Sequence, residues 1–172
     1  MSVLPVAVAL IALERLIELC HAARNTRALK ARGAVEAGAA HYPLFVLLHA
    51  AWLGALLAFV PWDTPPNWFW LGLMIALQVM RLWVILSLGP YWTTRIVTLP
   101  EAPLVRRGPY RFFRHPNYAV VTAEIAALPL AFGAYAIAVA FSLANLALLA
   151  WRVRIEDRAL ASRRGIAAPP VG

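Results

Sequence analysis

The chain has 172 residues, of which 62% are hydrophobic and only 14% are charged. Soluble globular domains carry roughly 45–50% apolar and about 25% charged residues, so this composition excludes an ordinary soluble domain and indicates an integral membrane protein. The net charge of +8 is typical of basic loops beside a membrane, and a single cysteine, Cys20, excludes an intrachain disulfide and a cysteine metal cluster.

Five segments are apolar enough to cross a bilayer, which takes about 20 residues of helix. The last two share one long apolar stretch, which Pro129 and Gly133 divide at a tight turn, and the last helix is predicted to extend to about residue 163. We therefore predict an all-α bundle of about five transmembrane helices that forms a single domain over 1–172. The predicted spans are 3–22, 42–61, 67–88, 116–132 and 134–155.

Basic residues in the connections between these segments alternate in number. The 23–41 connection has four, the 89–117 connection has five, and the C-terminal segment from Arg152 onwards has five. The 62–66 and 132–134 connections have none. Because basic residues collect on the cytoplasmic side of membrane proteins, we predict an N-terminus outside and a C-terminus in the cytoplasm.

The third connection is too long and too aromatic to be an unstructured link. It ends in RRGPYRFFRHPNY, in which Pro116 suits the first turn of the fourth helix and His115, before a proline, is expected to be extended. Free N–H groups at a helix start favour an anion, and the rings of Tyr110, His115 and Tyr118 offer faces that attract an onium cation. The sequence therefore predicts an ordered, cofactor-binding loop on the cytoplasmic face.

A second polar segment, WRVRIEDRAL, ends the last span. Arg152 and Glu156 are four residues apart and so share a helix face. A tight hairpin makes the fourth and fifth helices antiparallel neighbours, so both polar segments are expected at the same membrane depth, where they would wall one pocket. Taken singly, each segment is also consistent with arginines that only set topology and with an ordinary helix end.

Charged residues also lie inside the predicted spans, where they are costly and normally pair within the bundle. They are Glu14, Arg15, Glu18, Arg81 and Glu124. Ion pairing between helices is expected for Arg81 with one of the glutamates, and a place on the wall of a substrate cavity is expected for Glu124 or Glu18. His49, in mid-span, is interpreted as a satisfied core histidine, and the scattered histidines give no metal signature.

The two polar segments together resemble the isoprenylcysteine carboxyl methyltransferase family of integral membrane enzymes. The resemblance is carried by LVRRGPYRFFRHPNY, with the pattern G-x-Y-x-x-x-R-H-P-x-Y, and later by RVRIEDRAL, with the pattern R-x-x-x-E-[ED]. The N-terminal spans match only in hydropathy and through LERLIEL. The likeness extends to a bacterial branch that methylates polyketide alkylpyrones, although Ala119 and Val120 stand where many relatives carry a glycine.

The resemblance implies S-adenosylmethionine as the methyl donor. Arg152 is implied to face the anionic group of the substrate, and Arg152 and Glu156 are the catalytic candidates. Glu124, from its place in the fourth span, is a further substrate-binding candidate, while Arg95 is only loosely placed near the cofactor. The residues implied to bind the cofactor are Leu104, Val105, Tyr110, His115, Pro116, Asn117, Tyr118 and Glu156.

The predicted function is methylation of a carboxylate or an enol or phenol oxygen on a lipophilic substrate. An alkylpyrone or alkylresorcinol-type polyketide, the product of a type III polyketide synthase, is favoured over a prenylcysteine-like acid. Methylation of phospholipid amines is a third possibility within this class. A carboxylate or an acidic enol is already an anion near neutral pH and needs no strong base, and positioning supplies most of the catalysis. The predicted location is the bacterial inner (cell) membrane, with membrane lipids as partners and no nucleic acid.

Two other functions stay open from the sequence. One is an NADPH-dependent membrane reductase of the sterol-reductase type, in which loop arginines would suit the 2′-phosphate. The other is a non-enzymatic membrane scaffold, in which the arginines only bind lipid headgroups.

Overall fold

The computed structural model describes residues 2–100 and 102–161, and within them the chain forms five α-helices. Each helix covers all or nearly all of one predicted apolar segment, so the all-α class and the bundle are confirmed. The helices are α1 (Val3–Ala31), α2 (Tyr42–Phe59), α3 (Trp68–Leu88), α4 (Pro116–Ala131) and α5 (Tyr135–Leu160).

In the described part of the chain, α2, α3 and α5 are long and apolar enough to cross a membrane. The helix α4 has only 16 residues, and α1 carries three charged residues within its apolar part. The number of spans, predicted as about five, therefore stays a prediction for these two helices.

Helix α1 runs nine residues beyond its predicted end at position 22. The residues that follow the apolar segment include good helix formers, namely alanine, arginine, leucine and lysine, so the helix continues outside that segment. Gly33, at φ +88°, lies just beyond the end of this helix. At the other terminus α5 ends at Leu160, and the predicted extension to about residue 163 reaches positions outside the described residues.

A two-stranded antiparallel ribbon, which the sequence did not predict, joins two distant connections. Its strands are β1 (Val35–Ala37) and β2 (Ile96–Thr98). Glu36 in β1 accepts hydrogen bonds from Lys30 and, at 2.6 Å, from Arg95. These bonds hold the pKa of Glu36 below its ordinary value, Lys30 contributing most. The ribbon therefore fastens the α1–α2 connection to the α3–α4 connection.

The connections gather at two opposite ends of the bundle. At one end the Asn67 N–H, at the start of α3, donates to the Ala131 carbonyl at 2.7 Å, which brings the α2–α3 connection beside the α4–α5 turn. At the other end Arg152 of α5 donates to the Thr94 carbonyl beside the ribbon. This second end, called the basic end below, collects the arginine-rich connections, in agreement with the alternation of charge along the sequence.

The packing is apolar outside as well as inside. Trp52, Leu56 and Ile125 belong to the buried core, whereas Leu47 and Val79 are 63% and 66% exposed on the outer surface. Among the described residues four charged side chains are buried instead, namely Glu18, Arg81, Glu124 and Arg152. An apolar exterior around buried charges is the pattern of a protein whose surrounding solvent is lipid.

Candidate active site

A cavity of about 740 Å³ lies at the basic end, with walls from all five helices and from the ordered α3–α4 connection. The cavity takes in most of the residues that the sequence proposed for the site. Pro116 is the exception among the cofactor candidates, because it is buried as the first residue of α4 and is not among the lining residues. The proposed residues on the wall are Leu104, Val105, Tyr110, His115, Asn117, Tyr118, Arg152 and Glu156.

Tyr118 of α4 joins the two polar segments. Its hydroxyl accepts a hydrogen bond from Arg152 Nε at 2.8 Å and donates one to the Glu156 carboxylate. Arg152 Nη2 donates to the Thr94 carbonyl at 2.9 Å. The contact expected between the start of α4 and the end of α5 is therefore present, and it fixes the plane of the guanidinium from two sides.

His115 completes this group, which is called the rim cluster below and consists of His115, Tyr118, Arg152 and Glu156. The imidazole stacks on Tyr118 with ring centroids 5.2 Å apart and an interplanar angle of 10°. Its Nδ1 lies 3.7 Å from Glu156 Oε2. The helix begins at Pro116 as predicted, although His115 itself, at φ −131° and ψ 59°, is not in the extended conformation expected before a proline.

Two buried polar atoms at the start of α4, both in residues of the cavity wall, have no hydrogen-bond partner among the described residues. They are His115 Nε2, which lies 3.6 Å from Asp157 Oδ1, and Asn117 Oδ1. Buried polar atoms without a partner are rare in native proteins, and each one calls for an explanation such as a bound ligand. The cavity wall therefore has free hydrogen-bonding capacity beside an aromatic stack.

Gly108 lets the loop that carries Tyr110 press against α3. Its φ is +55°, and a Cβ at this position would come within 2.1 Å of Ser87 Oγ. Arg107 Nε holds the same loop by donating to the Ser87 carbonyl at 2.7 Å. Burial, with the nearby Glu156 charge, raises the pKa of Tyr110 well above its ordinary value, so its hydroxyl is neutral at pH 7.

Helix α2 contributes aromatic faces that the sequence analysis did not identify. Arg95 Cζ lies 4.3 Å from the centroid of the Tyr42 ring, and Arg152 Cζ lies 5.3 Å from that of Phe45. Arg95 is also on the cavity wall, where its Nη1 binds Glu36. The available signal was the helical spacing of Tyr42 and Phe45, but it is hidden in a helix that is apolar on every side.

A second charged group, called the ion-pair cluster below, lies among α1, α3 and α4. Arg81 binds Glu18 through Nε and, at 2.7 Å, through Nη2, and it binds Glu124 at 3.0 Å, so the predicted pairing of Arg81 with a glutamate is confirmed. Arg15 donates to Glu18 at 3.0 Å, and Gln78 donates to Glu124 at 3.1 Å. Each carboxylate oxygen of Glu18 and Glu124 therefore accepts at least one hydrogen bond.

Glu124 does not line the cavity, which corrects the expectation that it binds substrate. Only 3% of its side chain is exposed, and it accepts hydrogen bonds from Arg15, Gln78 and Arg81. The reason is that α1 and α3 enclose this side of α4. Arg15, Glu18 and Arg81 are the members of the ion-pair cluster that reach the cavity wall.

His49 of α2 also lies on the cavity wall, which the interpretation as a core histidine did not anticipate. Its Nδ1 is 2.8 Å from the Phe45 carbonyl oxygen. Because a carbonyl oxygen can only accept a hydrogen bond, Nδ1 carries the proton and the neutral ring has its lone pair on Nε2. This hydrogen bond therefore satisfies one of the two ring nitrogens, Nδ1.

Residues 70–162 of the chain match the model of the isoprenylcysteine carboxyl methyltransferase (ICMT) family. The chain is 39% identical over 157 residues to YpbQ, an uncharacterized protein of Bacillus subtilis (strain 168). The aligned region covers 89% of this chain and 94% of YpbQ. The chain is 28% identical over 151 residues to an uncharacterized protein of Haemophilus influenzae, with coverage of 85% and 88%. No solved structure matches the chain significantly.

The family match divides the cavity wall into two parts. The matched residues include the whole rim cluster and Arg81. Helices α1 and α2 lie outside the match, and with them Arg15, Glu18 and His49.

Proposed function

Because the chain belongs to the isoprenylcysteine carboxyl methyltransferase family, it is an integral membrane methyltransferase, and we propose that it methylates an oxygen of a lipophilic substrate with S-adenosylmethionine. One observation carries the proposal: the rim cluster shares a single cavity with apolar side chains of α1 and α2. A polar site for a nucleoside therefore adjoins an apolar site for an alkyl chain.

The side chains on the cavity wall fit S-adenosylmethionine. The free Asn117 Oδ1 and His115 Nε2 offer hydrogen bonds to polar groups of a nucleoside or an amino acid. Aromatic faces such as that of Tyr118 suit a sulfonium cation. The residues that would hold it are Leu104, Val105, Tyr110, His115, Asn117, Tyr118 and Glu156, with Pro116 setting the start of the helix behind them.

When bound, S-adenosylmethionine supplies an electrophilic methyl group, whose bond to sulfur breaks as a bond to the acceptor oxygen forms. Arg152 would orient the anionic acceptor and offset the cost of removing its charge from water. Tyr118 fixes Arg152 through one hydrogen bond and Glu156 through another. In-line transfer depends mainly on positioning, and this connected group of side chains provides it.

The lipophilic part of the substrate would lie between α1 and α2. Leu16 and Val46 line the cavity and are also 59% and 40% exposed on the outer surface, so the wall continues towards the lipid. An alkyl chain can therefore enter from the bilayer while the cofactor enters from water. Alkylpyrone or alkylresorcinol-type polyketides, such as products of a type III polyketide synthase, and prenylcysteine-like acids have this form.

The proposed location is the bacterial inner membrane, with five spans, the N-terminus outside and the basic end in the cytoplasm. The arginine-rich connections meet at one end of the bundle, and basic residues collect on the cytoplasmic side of membrane proteins, which supports this orientation. S-adenosylmethionine is available on the same side.

A binding experiment on the purified full chain in detergent tests the proposal. We expect micromolar binding of S-adenosylmethionine and of its demethylated product by calorimetry, and transfer of a labelled methyl group to added alkylpyrones or acids. Arg152→Ala should abolish transfer, whereas Arg154→Ala, an exposed position on the same helix, should not. Binding of NADPH in place of S-adenosylmethionine would support a reductase, and binding of neither would support a scaffold.

A further inference from the structure

We propose that His49 is the general base that takes the proton from a neutral hydroxyl acceptor, so that the enzyme accepts enols and phenols in preference to carboxylic acids. This inference rests on the proposed function, and it concerns a residue outside the region of the family match. It depends on two observations: the tautomer of the ring and its position on α2, one turn from the Phe45 ring that Arg152 contacts.

The tautomer places the lone pair where a base needs it. Nδ1 donates to the Phe45 carbonyl at 2.8 Å, so Nε2 is the nitrogen that can accept a proton. Trp52 packs edge-on against the ring, with centroids 6.2 Å apart, and limits its rotation. His49 lines the same cavity as the rim cluster, so a bound acceptor can reach it.

The position of His49 suits an acceptor held by Arg152. Phe45 and His49 are four residues apart on α2 and therefore lie on one face, one turn from each other. Arg152 Cζ lies 5.3 Å from the Phe45 ring centroid. The imidazole is thus one helical turn deeper in the cavity than the guanidinium, within the reach of one aromatic ring bound between them.

Charged groups of both signs act on His49. The charged groups that act on the ring are Arg15 from α1 and Glu124 from α4, with Arg152 of α5 a turn away across the cavity. Arg15 also contacts Glu14 at 3.5 Å. The ion-pair cluster with Glu14 thus contains three carboxylates (Glu14, Glu18, Glu124) and two guanidinium groups (Arg15, Arg81). In this group the carboxylates outnumber the guanidinium groups by one.

The proposed step conserves atoms and charge. The acceptor O–H bond breaks as Nε2 of His49 takes the proton, and the freed oxygen electron pair forms the new bond to the methyl carbon. The electrons of the carbon–sulfur bond stay with the leaving sulfur. The imidazolium of His49 then releases its proton to water at the mouth of the cavity.

A base matters only for some acceptors. A carboxylic acid with a pKa of about 4 is already an anion at pH 7, whereas a phenol with a pKa of about 10 is neutral. The contribution of His49 should therefore increase with the pKa of the acceptor, and acidic enols should fall between these limits.

The test compares His49→Asn with wild type, using an alkylphenol and a fatty acid of equal chain length. The asparagine amide keeps a donor near the Phe45 carbonyl but supplies no base. General-base catalysis typically contributes about 10²–10⁴-fold, so kcat/KM for the alkylphenol at pH 7 should fall at least about a hundredfold. The loss for the fatty acid should be at least about tenfold smaller, and the phenol loss should shrink as pH rises towards the pKa of the acceptor. His21→Asn, an exposed position of α1 outside this cavity, should leave both rates unchanged.

Equal losses on both acceptors, an unchanged rate on the phenol, or a loss that persists at high pH would overturn the proposal. Wild type that methylates only the fatty acid would overturn it as well and leave the proposed function intact. Failure of the proposed function looks different, because wild type would then neither bind S-adenosylmethionine nor methylate either acceptor. Retained S-adenosylmethionine binding by His49→Asn shows that the variant is folded.

Discussion

The rim cluster and the ion-pair cluster both contain arginine and glutamate, but they differ in how the carboxylates are bound. In the ion-pair cluster each carboxylate oxygen of Glu18 and Glu124 accepts a hydrogen bond from the bundle. In the rim cluster His115 Nε2 has no hydrogen-bond partner among the described residues, and the aromatic faces border a cavity. The difference suggests that carboxylates saturated by arginines join helices, whereas an unpartnered polar atom beside an aromatic stack binds a ligand.

The first test of this comparison is the substitution Arg81→Leu in the ion-pair cluster. It leaves Glu18 and Glu124 without their main partner, and breaking a buried pair costs about 3–5 kcal/mol. We expect a large fall in the free energy of unfolding, measured in detergent, and a low yield of folded protein. Arg24→Leu, at an exposed position of α1, should change it by about 0.5 kcal/mol or less. A stable Arg81→Leu protein that had lost only activity would contradict the structural role.

The second test is Arg152→Lys in the rim cluster. Lysine keeps the charge but cannot bind Tyr118 and Thr94 through a planar fork while it faces the acceptor. A hydrogen bond to a charged group contributes about 1.5–3 kcal/mol, so kcat/KM should fall about tenfold to a hundredfold. The unfolding midpoint should change little, as it should for Arg154→Lys. If Arg152→Lys lowered the free energy of unfolding as strongly as Arg81→Leu, the rim cluster would join helices in the same way as the ion-pair cluster.

The third test sharpens the role of the loop that holds Tyr110. Gly108→Ala places a Cβ against Ser87 at a positive φ, whereas Gly133→Ala has a positive φ and open space. The left-handed conformation costs about 1–2 kcal/mol at both positions, and the clash adds to it only at Gly108. We expect Gly108→Ala to weaken S-adenosylmethionine binding as well as stability. Equal effects at the two glycines would mean that the loop is not pressed against α3.

The smallest expected effect comes from the surface ion pairs of Glu36. Hydrogen bonds from Lys30 and Arg95 lower the pKa of Glu36 in the folded state, so its contribution to stability is complete above the ordinary pKa of about 4.3 and is lost as pH falls through the lowered value. Exposed pairs contribute at most about 1 kcal/mol. Glu36→Gln should therefore lower the unfolding free energy slightly at pH 7, and this difference should disappear as pH falls through the lowered pKa of Glu36. High salt should reduce the difference, and an effect that persists in acid would contradict this assignment.

Local rules predicted the parts of the fold that depend on neighbouring residues. The residue-before-proline rule set the start of α4 at Pro116, and the four-residue spacing of Arg152 and Glu156, with the hairpin, predicted the rim cluster. The ribbon was missed because its two strands have three residues each and pair across a long separation. The orientation of Glu124 and His49 was missed because α2 and α4 lack a polar face, so periodicity cannot tell which side meets a neighbour.

The ribbon also has a consequence for the order in which the protein is assembled. Glu36 and Arg95 are 59 positions apart, so β1 leaves the ribosome well before the strand with which it pairs. Arg152, which is synthesised later still, then contacts the backbone beside β2. A nascent chain stopped before α5 can therefore form the ribbon but not the complete cavity. The protein should bind its cofactor only when translation is nearly complete.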